Sequence, residues 1–185
     1  MTARCRLSES ISEGDGISVL VHTAAATDIA MAEQHEVEGV VAGQRALVAL
    51  AATTLPVIAR GLLPEEAGEA GADAWLLVAA DHGDELEMRY SEAHALGLEC
   101  VVEVRDEEEL EVVLARIDPE IVLLSPRAAE HAEEAVDCVL ELLPDVPAGK
   151  LVVAELRAPT VEDLEALERA GIDAVLVGLG GLAAS

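Results

Sequence analysis

Residues 98–125, LECVVEVRDEEELEVVLARIDPEIVLLS, contain a complete strand–helix–strand unit. Glu99–Val104 is short, Val-rich and nearly continuous in apolar residues, as suits a parallel strand covered on both faces. Leu110, Val113, Leu114 and Ile117 then recur at helical spacing, which predicts a helix over Asp106–Ile117 with one apolar face. Ile121–Ser125 follows as a second strand. Two such strands joined by a helical crossover make a βαβ unit.

The same rhythm extends in both directions. Further strands are predicted at Ile17–His22, Val37–Val41, Leu55–Ala59, Ala74–Ala79, Leu151–Glu155 and Ala174–Gly178. Helical patterns also cover Ala128–Leu143 and Thr160–Ala170, the latter opened by Thr160 as N-cap with Asp163 three residues on. Gly71, Gly97 and Gly171 each stand between a helical pattern and a strand, where a helix C-terminus favours glycine. Gly71-Ala72-Asp73-Ala74 and Gly171-Ile172-Asp173-Ala174 are near copies, which points to a repeated unit.

Eight strands alternating with helices predict an α/β fold, a (βα)8 TIM barrel. The alternative is an open doubly wound sheet with its ligand at a switch point. No GxGxxG follows the first strand and no Walker A sequence is present. The barrel is shortened: only Leu179–Ser185 follow the eighth strand, so most of the last helix is expected to be missing. Residues 1–16 read as a loose polar lead-in, and 17–185 as one barrel domain.

Composition narrows the function. The chain has 185 residues, 11 Lys+Arg against 37 Asp+Glu, and a net charge of −26. That charge repels phosphate backbones and anionic membranes, so neither nucleic acid nor a membrane is an expected partner. At 52% hydrophobic with no Phe, one Trp and one Tyr, the core must be aliphatic. Cys5, Cys100 and Cys138 are widely spaced, which argues against a disulfide framework and a zinc site. No signal sequence or membrane-length apolar run is seen, so a cytoplasmic setting is expected. Acidity of this degree fits a halophile-like or highly soluble surface.

In a barrel, function gathers where strands end. Five of the ten arginines, Arg45, Arg60, Arg105, Arg127 and Arg157, lie at predicted strand C-termini. Glu103/Arg105 and Glu155/Arg157 are each two apart, so each pair shares one side of its strand. Arginines around two interior glutamates read as a mouth for an anionic ligand, and equally as rim ion pairs with no further role. Gly178, Gly180 and Gly181 would let backbone N–H groups approach a phosphate. His22 and His82 also sit at strand ends, where either could act as acid or base. Asp81-His82 is a weaker metal candidate; no metal site is assigned. Lys150, the single lysine, starts the seventh strand, which disfavours Schiff-base chemistry.

Ala93–Leu110, with its core Leu98-Glu99-Cys100-Val101-Val102-Glu103-Val104-Arg105-Asp106-Glu107-Glu108-Glu109-Leu110, resembles the fifth-strand motif of indole-3-glycerol phosphate synthases. Leu55-Pro56-Val57-Ile58-Ala59-Arg60-Gly61-Leu62 is similar to that family's third-strand LPVLRKDF. The segments at 70–74 and 170–178 resemble its AGADA and AGVDAVLVG pieces. The resemblance spans about residues 50–180. It implies a barrel of tryptophan-biosynthesis type, a phosphorylated substrate held at the C-terminal face, and no cofactor. It matches Glu103 to the family's general base, Glu155 to its strand-seven glutamate and Arg127 to the arginine after strand six.

The departures are specific. Arg60 stands where the family has its catalytic lysine, a general acid. Ser125-Pro126 replaces an Asn-Asn pair, and Leu156-Arg157 replaces a phosphate-holding Ser-Gly. Leu179-Gly180 replaces the residues after strand eight. The first strand, Val19-Leu20-Val21-His22, lacks the Glu and Lys of EVKRASPS. The family's N-terminal extension is expected to be missing. An arginine keeps its proton, so Arg60 could stabilise charge but would donate poorly.

The expected function is therefore a barrel of the indole-3-glycerol phosphate synthase type binding an anionic phosphorylated small molecule, with Glu103, Arg60 and Glu155 as the catalytic candidates. Ser125, Arg127, Arg157 and the three glycines are the phosphate-binding candidates. The lysine replacement argues against the ring-closing decarboxylase (lyase) step. The second reading is a catalytically degenerate homologue that binds a phosphometabolite or serves as a subunit, and a third is a different phosphate-barrel enzyme, such as a sugar-phosphate isomerase. Apolar surface left by a missing last helix would favour self-association or a partner subunit.

Overall fold

The computed structural model describes residues 5–14, 16–35, 37–46, 53–126 and 132–180. The strands are β1 (Ser18–Thr23), β2 (Gly39–Ala42), β3 (Val57–Ala59), β4 (Ala74–Val78), β5 (Glu99–Val104), β6 (Ile121–Leu124), β7 (Leu151–Glu155) and β8 (Ala174–Gly178). All pairings are parallel, neighbours follow chain order, and β1 closes the barrel against β8, with Ser18 opposite Ala174 and His22 opposite Gly178. The TIM barrel expected from the sequence is thus the observed fold. β5, β7 and β8 match their predicted spans; the others shift by one or two residues at an end.

The helices are α1 (Leu7–Ser12), α2 (Ala26–Ala32), α3 (Pro64–Glu69), α4 (Ala79–His82), α5 (Leu86–Ala95), α6 (Glu107–Arg116), α7 (Ala132–Leu142) and α8 (Val161–Ala170). Their ends follow local chemistry. Asp106 accepts the Glu109 N–H at 2.9 Å and starts α6. Thr160 and Asp163 cap α8 reciprocally. Gly171 ends α8 at φ 100°, a backbone conformation open to glycine and strained for other residues.

The strand pleat sorts side chains into two cores. Outward residues such as Val21, Leu77, Val102 and Val175 pack beneath the helices. Inward residues, Leu20, Val41, Ile58, Leu76, Val101 and Leu123 among them, fill the barrel. Trp75 belongs to the outer set, and its indole N–H donates to the Leu62 carbonyl at 2.8 Å. The near-copied tetrapeptides have one structural job. Asp73 accepts the Val57 N–H at 2.9 Å and Asp173 accepts the Val152 N–H at 2.7 Å, each satisfying a backbone donor of a neighbouring strand.

The segment read as a loose polar lead-in contains α1, which plugs the N-terminal end of the barrel. Leu7 and Ile11 are buried against the interior residues. Glu99, at the start of β5, reaches beneath the barrel to accept the Leu7 N–H at 2.6 Å and the Ser8 hydroxyl at 2.5 Å. Gly39 makes room for the plug, since a Cβ there would stand 3.1 Å from Leu20 and 3.3 Å from Leu7. The sequence disguised this helix because its apolar residues, Leu7 and Ile11, are only two among polar neighbours.

Candidate functional site

Above the aliphatic filling, the next inward position on several strands is polar. His22 ends β1, Arg60 follows β3, Glu103 lies in β5, Ser125 follows β6 and Glu155 ends β7. Strand alternation puts these residues on the inner face, and the stagger of the closed barrel brings them to one level at its C-terminal mouth.

Their contacts form one network. Arg60 bridges the two glutamates, with Nη2 donating to Glu103 Oε2 at 2.9 Å and Nη1 to Glu155 Oε1 at 3.0 Å. Arg105 Nε donates to Glu103 Oε1 at 3.0 Å, so both Glu103 oxygens are held by guanidinium groups. Ser125 Oγ donates to Glu155 Oε2 at 2.7 Å. His22 Nε2 lies 2.7 Å from Glu155 Oε1. Glu103 is 1% exposed, whereas Arg60 and His22 are each 31% exposed and face the opening.

Glu155 is held ionised. Burial alone would raise its pKa, but hydrogen bonds from His22, Ser125 and Arg60, with the Arg60 charge, override burial and bring it from 4.5 to about 2. Two positive and two negative side chains, Arg60, Arg105, Glu103 and Glu155, therefore balance at the centre of the mouth. Glu155 is a weak base under these conditions, and neither arginine releases a proton.

The other sequence candidates lie around this centre. Arg157 is exposed beyond the end of β7 and has no ion-pair partner among the described residues. Unlike Glu103/Arg105, Glu155/Arg157 makes no direct pair among the described residues: β7 ends at Glu155, and Arg157 lies exposed beyond it. Gly178 faces inward opposite His22, and a Cβ there would meet nothing within 4 Å. Gly180 is exposed and equally open. Arg127 and Gly181 lie outside the described residues. His82 stacks at a tilt on Trp75, 5.7 Å between centroids, on the outer side of β4. Arg105 was visible only as a strand-end arginine; the Glu103–Arg105 spacing was the signal for its place in the network. Among the described residues no group of three His, Cys, Asp or Glu is placed to hold a metal. No helix there is long and apolar enough to cross a membrane. A groove of about 370 Å3 beside Ala79, Leu86, Asp106 and Val112 runs along the helical layer and includes none of the networked residues.

Fold and site together define a parallel (βα)8 barrel with a carboxylate–guanidinium network at its C-terminal mouth. The sequence model for indole-3-glycerol phosphate synthase matches residues 61–182. The indole-3-glycerol phosphate synthase of Shouchella clausii is 36% identical over 131 residues, covering 68% of this chain and 51% of that protein. That of Geobacillus thermodenitrificans is 33% identical over 133 residues, covering 69% and 52%. The chain belongs to the indole-3-glycerol phosphate synthase family, and it spans about half the length of the curated relatives it matches. Among solved structures, N-acetylmannosamine-6-phosphate 2-epimerase from Clostridium perfringens superposes with a TM-score of 0.73 over 89% of this chain and 87% of its own, at 16% identity. That likeness concerns the fold alone.

Proposed function

We propose that this barrel binds a phosphorylated small molecule at its C-terminal mouth and does not run the family's ring closure at a useful rate. The observation that carries the reading is the Arg60 bridge. Ring closure of carboxyphenylamino-deoxyribulose phosphate, with loss of carbon dioxide and water, needs a proton donor to the carbonyl oxygen and a base afterwards. Arg60 occupies the donor's place and retains its proton; Glu103 occupies the base's place with both oxygens engaged. Losing a positioned donor costs about 10² to 10⁴ in rate.

Phosphate binding is supported by Arg157, exposed and without an ion-pair partner among the described residues, and by the open backbone at Gly178 and Gly180. Arg157 gives a phosphate bidentate donors, and glycine lets backbone N–H groups come close. The second reading, a working lyase of tryptophan biosynthesis, is favoured by the retained Glu103 and Glu155 in one mouth. A fluorescence assay for indole-3-glycerol phosphate, run at low and high salt beside calorimetric titration with carboxyphenylamino-deoxyribulose phosphate, separates the two. Binding without turnover is the expected result. Turnover abolished by Glu103→Gln would overturn the proposal in favour of the lyase, and absence of binding would overturn it altogether.

A further inference from the structure

Among the described residues the network at the mouth contains one histidine, His22, and the surrounding geometry distinguishes its two ring nitrogens. His22 Nε2 is 2.7 Å from Glu155 Oε1 and 3.1 Å from Arg60 Nη1. Arg60 Nη1 also donates to that same carboxylate oxygen, at 3.0 Å. If Nε2 were the unprotonated nitrogen, its lone pair would face an ionised oxygen at hydrogen-bond distance. With the proton on Nε2, both nitrogens donate to one acceptor and their 3.1 Å separation needs no bond between them. The Nε2–H tautomer is therefore favoured, and the Nδ1 lone pair is the free base. Nδ1 has no hydrogen-bond partner among the described residues, and the His22 side chain is 31% exposed at the mouth.

Space for a ligand lies beside it. His22 pairs with Gly178 across the β1–β8 seam, and a Cβ on Gly178 would meet nothing within 4 Å. On the other side of His22, the Arg60 guanidinium commits one N–H to each glutamate and has further donors left. A base, open space over Gly178 and a fixed positive donor thus lie side by side. Glu155 holds the imidazole in orientation and would stabilise the imidazolium once it forms, as a carboxylate does for a catalytic histidine.

We propose that His22, oriented by Glu155, catalyses reversible enolisation of a phosphorylated α-hydroxyketone. This rests on the reading that the mouth holds a phosphorylated small molecule. Nδ1 takes the proton from the carbon beside the carbonyl. The C–H electron pair becomes the carbon–carbon double bond, and the carbonyl pair moves to oxygen, where Arg60 meets the developing charge. The imidazolium returns a proton to carbon and the carbonyl reforms. Nothing is oxidised or reduced overall, and no co-reactant is consumed. His22 and Arg60 are catalytic residues in this step; Glu155 is a positioning residue.

The test is solvent exchange into ribulose 5-phosphate in D2O, followed by proton NMR, with calorimetric binding of the same compound. Wild-type protein is expected to wash out the proton next to the carbonyl at least about 1000-fold faster than buffer. His22→Gln should lose about 100-fold in exchange while binding stays within about threefold. Glu155→Gln keeps an acceptor for Nε2–H but removes the charge, so it should lower kcat for exchange about tenfold with KM nearly unchanged. Circular dichroism on each variant establishes that it is folded. Binding without exchange would overturn this inference and leave the binding function standing. Neither binding nor exchange would overturn both. Exchange surviving in folded His22→Gln would overturn the assignment of the base.

Discussion

Arg60 and Glu103, 43 positions apart in the chain, meet at 2.9 Å through Nη2 and Oε2 at the C-terminal end of the barrel. Glu103 is almost wholly buried there, and the second guanidinium, from Arg105, takes its other oxygen. The buried Glu103 carboxylate is therefore neutralised from both sides.

Replacing that guanidinium with an ammonium should loosen the network. Arg60→Lys presents a single charged centre that cannot bridge two carboxylates as a planar fork does. It also restores an ionisable donor at this place. Turnover of carboxyphenylamino-deoxyribulose phosphate is expected to rise at least about tenfold over wild type in the fluorescence assay. Arg60→Ala should instead give no turnover and destabilise the fold by about 2 kcal/mol in urea melts, because Glu103 stays buried with one partner.

The low-pH behaviour of the fold should carry the signature of Glu155. Its folded pKa is depressed from 4.5 to about 2, so its contribution is fully present above pH 4.5 and is lost as pH falls toward 2. A shift of this size corresponds to about 3 kcal/mol at neutral pH. Denaturant melts should show Glu155→Gln less stable than wild type at pH 7, with the gap closing between pH 5 and pH 2. A gap that stays constant across that window would contradict the assigned contacts.

Removing the plug's anchor should open the N-terminal end without touching the mouth. Glu99→Ala deprives the Leu7 and Ser8 donors of their acceptor, at a cost of about 2 kcal/mol. Leu7→Ala, at a fully buried position, should cost about 2 to 5 kcal/mol. In hydrogen exchange, the Glu99 variant should lose amide protection over 7–12 while β5 and β6 keep theirs.

Cys100 should be silent to thiol reagents in the folded protein. It is 4% exposed, and burial pushes its thiol up to about 12. Alkylation at pH 8 should therefore leave Cys100 unmodified until denaturant unfolds the chain, as read by mass spectrometry of the peptide containing it.

Much of the architecture is legible in the chain because its signals are local. The Val- and Leu-rich runs at 99–104, 151–155 and 174–178 match the strands residue for residue. Thr160 with Asp163, and Gly171 after Ala170, mark both ends of α8 before any packing is known. Alternation along β5 and β7 already puts Glu103 and Glu155 on the inner face. The plug was not legible, since two apolar residues make too short a pattern and their burial depends on Gly39, Glu99 and the barrel floor.

By itself, then, the sequence determined the order of elements, the inward or outward sense of each strand residue, and the polar character of the strand ends. Backbone periodicity and turn chemistry act over a few residues, so they can be read along the chain. The tertiary structure alone decided that His22 meets Glu155 across 133 positions, that Arg60 reaches both glutamates at once, and that Arg157 remains outside the network. Those relations depend on how eight parallel strands are staggered when β1 closes against β8. That stagger is a property of the closed barrel and of the side-chain packing that fills it, and no short stretch of sequence contains it.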